Sequence, residues 1–194
     1  IGLKDWKPEN YGKKFYGPST LRKGIEKSRN LMTVRIAQRL GFEKISKISK
    51  DLGIYDNVPE LLSVSLGSNE TTLLKLTNAY CVFANGGKKV EATLINRIQD
   101  RRGKTIFNSD KRFCEGCDVV DLKDKQSPQI TDQYNQVISK ETAFQVTSML
   151  EGAVKRGTGK KLKVLGVPLA GKTGTTNKNF DAWFIGFTSR LVIG

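Results

Sequence analysis

The sequence predicts an α/β (α+β) fold, an antiparallel sheet flanked by helices. Two observations carry that prediction. Several stretches repeat apolar residues at helical spacing behind capping side chains, and "LAGKTGTTNKNFDAWFIGFTS" near the C-terminus reads as strand, turn and strand. A length of 194 residues suits one domain, or most of one, with a sizeable core. The 38% apolar and 27% charged composition is that of an ordinary globular chain. No apolar run approaches the roughly 18 residues that span a bilayer.

Taken in order, residues 1–17 are rich in Gly, Lys and aromatics and read as an extended loop. Pro18 with Ser19 or Thr20 opens a helical stretch from about Leu21 to Leu40, with Leu31, Val34 and Leu40 among its apolar positions. Gly24 and the "SRN" at Ser28–Asn30 interrupt it, so one helix and two helices meeting near Ser28 fit equally well. Gly41 marks the stop, and a further helix runs from about Phe42 to Leu52, closed by Gly53. Leu73, Leu76, Ala79, Tyr80 and Phe83 fall on one helical face, with capping residues at Asn69–Thr72 and a stop at Asn85-Gly86-Gly87. Asn69-Glu70-Thr71 is read as that helix start rather than as a glycan acceptor. "VEATLINRIQDRRGKTIF" alternates on either side of "DRRGK", as a β-hairpin does. Residues 109–136 are polar and irregular and are expected to be a loop or insertion. Ser139 opens a last helix whose apolar residues are Phe144, Val146, Met149, Leu150 and Val154, ended by Gly157-Thr158-Gly159.

The net charge of +14 asks for an anionic partner or surface. Its lysines and arginines are scattered rather than gathered on one helix face, which argues against nucleic acid and for a solvated basic surface, or for a bacterial envelope protein near anionic lipid or wall polymer. There is no histidine, so a Ser-His-Asp triad and a His-ligated zinc site are both excluded within this chain. Cys114 and Cys117, in "CEGC", fit either a local disulfide in an oxidising compartment or two thiols. Cys81, in "NAYCVFANGG", reads as a small apolar core residue.

"GVPLAGKTGTT", residues 166–176, satisfies two patterns at once. G-x-x-x-x-G-K-T is that of phosphate-binding loops, which need a helix beginning at the Lys-Thr so that its N-terminal N–H groups meet phosphate. Gly174 and the Thr-Thr-Asn that follow are poor helix material, and "DAWFIGFTS" is strand-like. The only Walker-type companion, "VVDLKD" at 119–124, is short and polar. Lys172-Thr173-Gly174 instead fits the K-T-G strand of serine transpeptidases and β-lactamases. There a lysine places charge beside the nucleophile, threonine hydroxyls hold a substrate carboxylate, and a glycine admits substrate backbone against the strand. A backbone N–H beyond the glycine can help hold an oxyanion.

With "WKPENYGKKFYGPSTLRKGIEKSRNLMTVRIAQ", "LSVSLGSNETTLLKLTNAYCVFANGG", "RGTGKK" and "AGKTGTTNKNFDAWFIGFT", the chain resembles, over nearly its whole length, the transpeptidase domain of class A (bifunctional) penicillin-binding proteins. The resemblance implies an incomplete penicillin-binding, β-lactamase-like transpeptidase fold across 1–194, with the cleft between the K-T-G strand and the helices. It puts the family's S-x-N on Ser28 and Asn30, with Ser28 as proton relay and Asn30 holding a substrate amide and orienting a motif lysine. Lys172 is the third catalytic residue, and Thr173, Gly174 and Thr175 bind substrate. "RGTGKK" is explained by a helix end and also lies where it could border the cleft; Asp181 and Trp183 are read as structural.

The family's nucleophile lies in S-x-x-K, one helical turn before its activating lysine. No serine here has a lysine three positions on. That motif is expected upstream of Ile1, or on another chain, and "LVIG" reads as a strand cut short. The parent is then expected to cross-link peptidoglycan stem peptides, to be acylated by β-lactams, and to carry a glycosyltransferase as well. The resemblance places it on the extracytoplasmic face of the inner membrane, anchored by an upstream helix, with this portion soluble and inactive by itself. No metal and no organic cofactor is implied.

Overall fold

The computed structural model describes residues 6–117, 127–131, 133–175 and 182–194, and they fall into two compact units. The first unit takes the chain up to Lys89 and again from Gln136 onward; the second is Val90–Asn135.

In the first unit, α1 (Leu21–Glu26) begins where the Thr20 hydroxyl accepts the Lys23 N–H. The expected helical stretch is two helices. Between α1 and α2 (Asn30–Leu40), Ser28 N–H bonds Ile25 O and Arg29 N–H bonds Gly24 O. This pair of bonds closes a helix with a residue of positive φ, normally glycine. Here that residue is Ser28, at φ 52°. No side chain of the Ser28–Asn30 stretch caps α2. Its Leu31 N–H is taken by Oδ1 of the buried Asn10, an acceptor that the N-terminal segment brings in from outside the helix. α3 (Phe42–Asp51) follows, then a short 3-10 turn at Leu62–Leu66, then α4 (Leu73–Ala84), N-capped by the Thr72 hydroxyl on Lys75 N–H.

The second unit holds two antiparallel pairs. β1 (Arg97–Gln99) pairs with β2 (Thr105–Asn108) around the "DRRGK" turn, where the Asp100 carboxylate accepts the Arg102 and Lys104 N–H groups. β3 (Phe113–Glu115) pairs with β4 (Gln129–Thr131), so the stretch 109–136, expected to be irregular, includes two three-residue strands. Cys114 and Cys117 are joined by a disulfide, with Cα atoms 5.7 Å apart. No described residue of 90–135 is buried.

Back in the first unit, α5 (Lys140–Arg156) is capped by the Ser139 hydroxyl on Thr142 N–H and leads through Gly157 and a 3-10 turn (Lys160–Leu165) to the sheet. β5 (Ala170–Thr175), β6 (Ala182–Phe187) and β7 (Val192–Ile193) form an antiparallel sheet in that order. The K-T-G residues therefore lie in a strand, which removes the phosphate-loop reading at its root. The turn expected at 177–179, with Asp181, and the "VVDLKD" stretch lie outside the described residues. Gly171 pairs with Gly186, and the Phe184 ring lies against both. A Cβ on Gly171 would stand 2.4 Å from it and one on Gly186 2.5 Å.

One core cluster of this unit joins Leu150 of α5, Ala170 of β5 and Phe187 of β6 to Ile25, Tyr80, Phe83, Val146 and Val192. Tyr80 meets Phe83 and Phe187 edge-on at 5.8 and 6.4 Å. A second cluster packs Leu52, Ala79 and Val82 with Ile54, Val137 and Ile138. α5 is thereby fixed between the sheet and α4, and its C-terminal end lies beside α1 and β5.

Candidate active site

β5 is an edge strand among the described residues, as the K-T-G pattern requires. Its Lys172 side chain reaches the break between α1 and α2, where Nζ donates to Ser28 Oγ at 2.8 Å and to Thr173 O at 2.8 Å. These residues are 144 positions apart in the chain. Burial holds the Lys172 amine below its ordinary value of 10.5. No described carboxylate forms an ion pair with it to offset that desolvation. Thr173 Oγ1 is in turn 2.8 Å from Thr158 Oγ1, on the loop leaving α5.

The backbone around Ser28 is held from both sides. Thr158 N–H donates to Glu26 O at 3.2 Å, and Lys27 Nζ donates to Arg156 O at 2.6 Å. On the other side, the Arg29 guanidinium lies 3.2 Å above the centre of the Tyr16 ring. Asn30 Nδ2 donates to Glu9 O at 2.9 Å.

Of the six residues singled out from the sequence, the fold thus brings Ser28, Lys172 and Thr173 together. Asn30 is adjacent in the chain, but its amide nitrogen is spent on the N-terminal segment rather than on Lys172. Gly174 and Thr175 continue β5 on its exposed end. Among the described residues, a Cβ on Gly174 would come no closer to another group than 4.0 Å, at Trp183 O, so none of them fills the space that the glycine leaves.

Such a pair is able to move a proton. A lysine amine in a desolvated site, hydrogen-bonded to a hydroxyl that is held in a strained backbone conformation, is a donor-acceptor couple rather than a surface contact. Beside it stands a strand with no described strand on its outer side and with threonine hydroxyls, suited to an extended chain ending in a carboxylate.

The family model of the penicillin binding protein transpeptidase domain matches residues 2–190. The chain belongs to that family. It is 47% identical over its whole length to Penicillin-binding protein 1A of Rickettsia conorii, covering 25% of that protein. It is 34% identical to Penicillin-binding protein 1A of Pseudomonas aeruginosa over 97% of the chain and 27% of the relative. The crystal structure of Penicillin-Binding Protein 1A from Haemophilus influenzae superposes with a TM-score of 0.80 at 29% identity, over 99% of this chain and 32% of that one. The chain therefore spans about a quarter of the length of these curated relatives.

Within this transpeptidase domain, sequence reasoning assigned no role to Glu26, while "RGTGKK", which holds Arg156 and Thr158, read as a helix end that could also border the cleft. The "RGTG" string was the available signal for Thr158. For Glu26 the only signal was an acidic residue two positions before Ser28, which carries no information until its burial is known.

Proposed function

We propose that this chain supplies one wall of the active site of a D,D-transpeptidase that cross-links peptidoglycan, and that the attacking serine comes from an S-x-x-K segment outside these residues. The observation that carries the reading is the Lys172 Nζ–Ser28 Oγ hydrogen bond of 2.8 Å, between two motifs separated by most of the chain.

In this reading the serine gives its proton to the lysine of its own S-x-x-K motif and attacks the carbonyl of the penultimate D-Ala of a stem peptide. As the tetrahedral intermediate collapses, the C–N bond to the terminal D-Ala breaks. Ser28 O–H gives its proton to the departing nitrogen and is reprotonated from Lys172 Nζ. An amine of a neighbouring stem then attacks the acyl-enzyme and returns a proton through Ser28 to Lys172, while the ester C–O bond breaks and the serine takes its proton back from the S-x-x-K lysine. The Thr173 and Thr175 hydroxyls hold the terminal carboxylate, and Gly174 admits the donor backbone against the β5 edge. A β-lactam acylates the same serine because its ring amide occupies the place of the D-Ala-D-Ala bond. Asn30 orients substrate from the start of α2. Membership in the transpeptidase family supports the acyl-transfer class, and the resemblance to class A proteins supports an extracytoplasmic, membrane-anchored parent that also carries a glycosyltransferase.

Labelling with a fluorescent penicillin tests the assignment. The complete gene product should become covalently labelled, with Ser28→Ala and Lys172→Ala slowed by about 10²–10⁴-fold. Residues 1–194 alone should stay unlabelled, and a covalent adduct on any serine within them would refute the reading.

A further inference from the structure

Among the described residues of the first unit, outside those already assigned, one carboxylate is nearly buried. Glu26 is 5% exposed and ends α1, two residues before Ser28. Its Oε2 accepts Arg156 Nε–H at 2.9 Å and its Oε1 accepts Arg156 Nη2–H at 2.5 Å. Arg22 Nη1 lies 3.8 Å from Oε1, with its guanidinium also on the Ser148 carbonyl and hydroxyl at 3.1 and 3.2 Å. Arg156 ends α5, two residues before Thr158.

Two glycines make this contact possible. A Cβ on Gly152 would lie 2.0 Å from Glu26 Oε1, and one on Gly157 would lie 2.1 Å from Glu26 O. The last turns of α5 therefore have a notch that receives both the carboxylate and the backbone of Glu26. A bidentate guanidinium–carboxylate pair fixes angle as well as distance, because its two parallel bonds resist rotation.

The pair also stands at the root of both loops that meet in the site. From Glu26 the chain runs through Lys27 to Ser28, and from Arg156 through Gly157 to Thr158, which touches Thr173. The Thr158 N–H to Glu26 O bond and the Lys27 Nζ to Arg156 O bond join the same two loops directly. Rotation of α1 about its axis would carry Ser28 Oγ away from Lys172, and this set of contacts opposes that rotation.

We propose that Glu26 and Arg156 are positioning residues, a buried ion pair seated in the Gly152–Gly157 notch that holds the Ser28 hydroxyl against Lys172. The inference rests on the reading of Ser28 and Lys172 as the proton-transfer couple. A pair serving only to stabilise the fold would loosen the whole unit when broken, whereas a positioning pair loosens the site first.

The test uses the complete gene product and two readouts. In stopped-flow labelling with fluorescent penicillin, Glu26→Ala should slow the acylation step by about 10–100-fold, the penalty of a small misplacement. Its noncovalent dissociation constant should stay within about twofold. Arg156→Lys, which keeps the charge, should fall between the two. In hydrogen exchange followed by mass spectrometry, Glu26→Ala should raise exchange by about tenfold at Lys27–Asn30 and Gly157–Thr158 while leaving α4 and β6 unchanged. Gly152→Ala, which displaces the carboxylate without removing it, should reproduce both effects and serves if Glu26→Ala does not fold. Wild-type acylation in Glu26→Ala, or exchange raised equally throughout the first unit, would overturn the inference while Lys172→Ala still slowed labelling. Wild-type labelling of Lys172→Ala would overturn the reading beneath it, and the catalytic half of the inference with it.

Discussion

Ser28 holds a backbone conformation that L side chains enter at a penalty of about 1–2 kcal/mol, and it does so where helices usually place glycine. A site that needs a hydroxyl at this turn accepts that strain because glycine would close the helix without one. Ser28→Gly should therefore raise the stability of the first unit by about 0.5–1 kcal/mol, after allowance for the freer unfolded chain, and abolish the fast phase of penicillin labelling. Thermal unfolding and labelling on the same sample check both halves. Lys172 makes a second prediction. Its amine is held below 10.5 by burial, so between its folded value and 10.5 the unfolded chain binds more protons than the native one. Stability should rise with pH across that window. Lys172→Met should remove the rise, and its stability relative to wild type should be greatest below the window and diminish as pH climbs through it; denaturant titrations at several pH values measure this. At this scale Lys172 and Ser28 were legible because each sits in a short motif of distinctive residue types. Glu26 was not, because nothing local marks it: its role depends on two glycines some 130 positions away.

Among elements, the helix starts were written in Thr20, Thr72 and Ser139, each of which caps as its side chain suggests. The break between α1 and α2 was legible only as one of two alternatives, since the acceptor for the Leu31 N–H comes from Asn10, outside the helix. β6 was recognisable from β-branched and aromatic content and β5 from the K-T-G pattern before it, and that strand-turn-strand reading decided between the two readings of G-K-T. The glycines of β5 divide by what surrounds them. Gly171→Ala would press a Cβ into the Phe184 ring and the Ile185 carbonyl and should destabilise the unit by about 1–3 kcal/mol. Gly174→Ala meets no described group nearer than Trp183 O at 4.0 Å and should change stability by less than about 0.5 kcal/mol, yet slow labelling by about tenfold, because the new methyl stands where donor backbone is to lie. Differential scanning fluorimetry beside labelling kinetics separates the two. A Gly174→Ala protein that labels normally would place the acyl donor elsewhere.

For the molecule as a whole, the mixed helix and antiparallel-sheet class followed from periodicity and capping, and the match to the Haemophilus influenzae structure agrees with it. The division at Val90 and Asn135 was not legible: the alternation of residues 90–107 marked a hairpin but not a separate unit, because none of the unit's described residues is buried to give it a core pattern of its own. Its compactness instead involves backbone pairing and the Cys114–Cys117 bridge, and cysteine spacing alone left that bridge open. The +14 charge belongs to the same scale. With its basic residues dispersed along the chain, it fits a solvated basic surface, and the proposed envelope setting would suit it equally. The central proposal is that Ser28 and Lys172 form the proton-transfer wall of a cross-linking transpeptidase. Its most direct measurement is chromatographic analysis of muropeptides formed by the complete gene product from un-cross-linked glycan strands bearing D-Ala-D-Ala stems. The account predicts dimeric muropeptides with one D-Ala released per bond, and a loss of about 100-fold or more in Lys172→Ala and in Ser28→Ala. Dimers formed at the wild-type rate by either variant would contradict it.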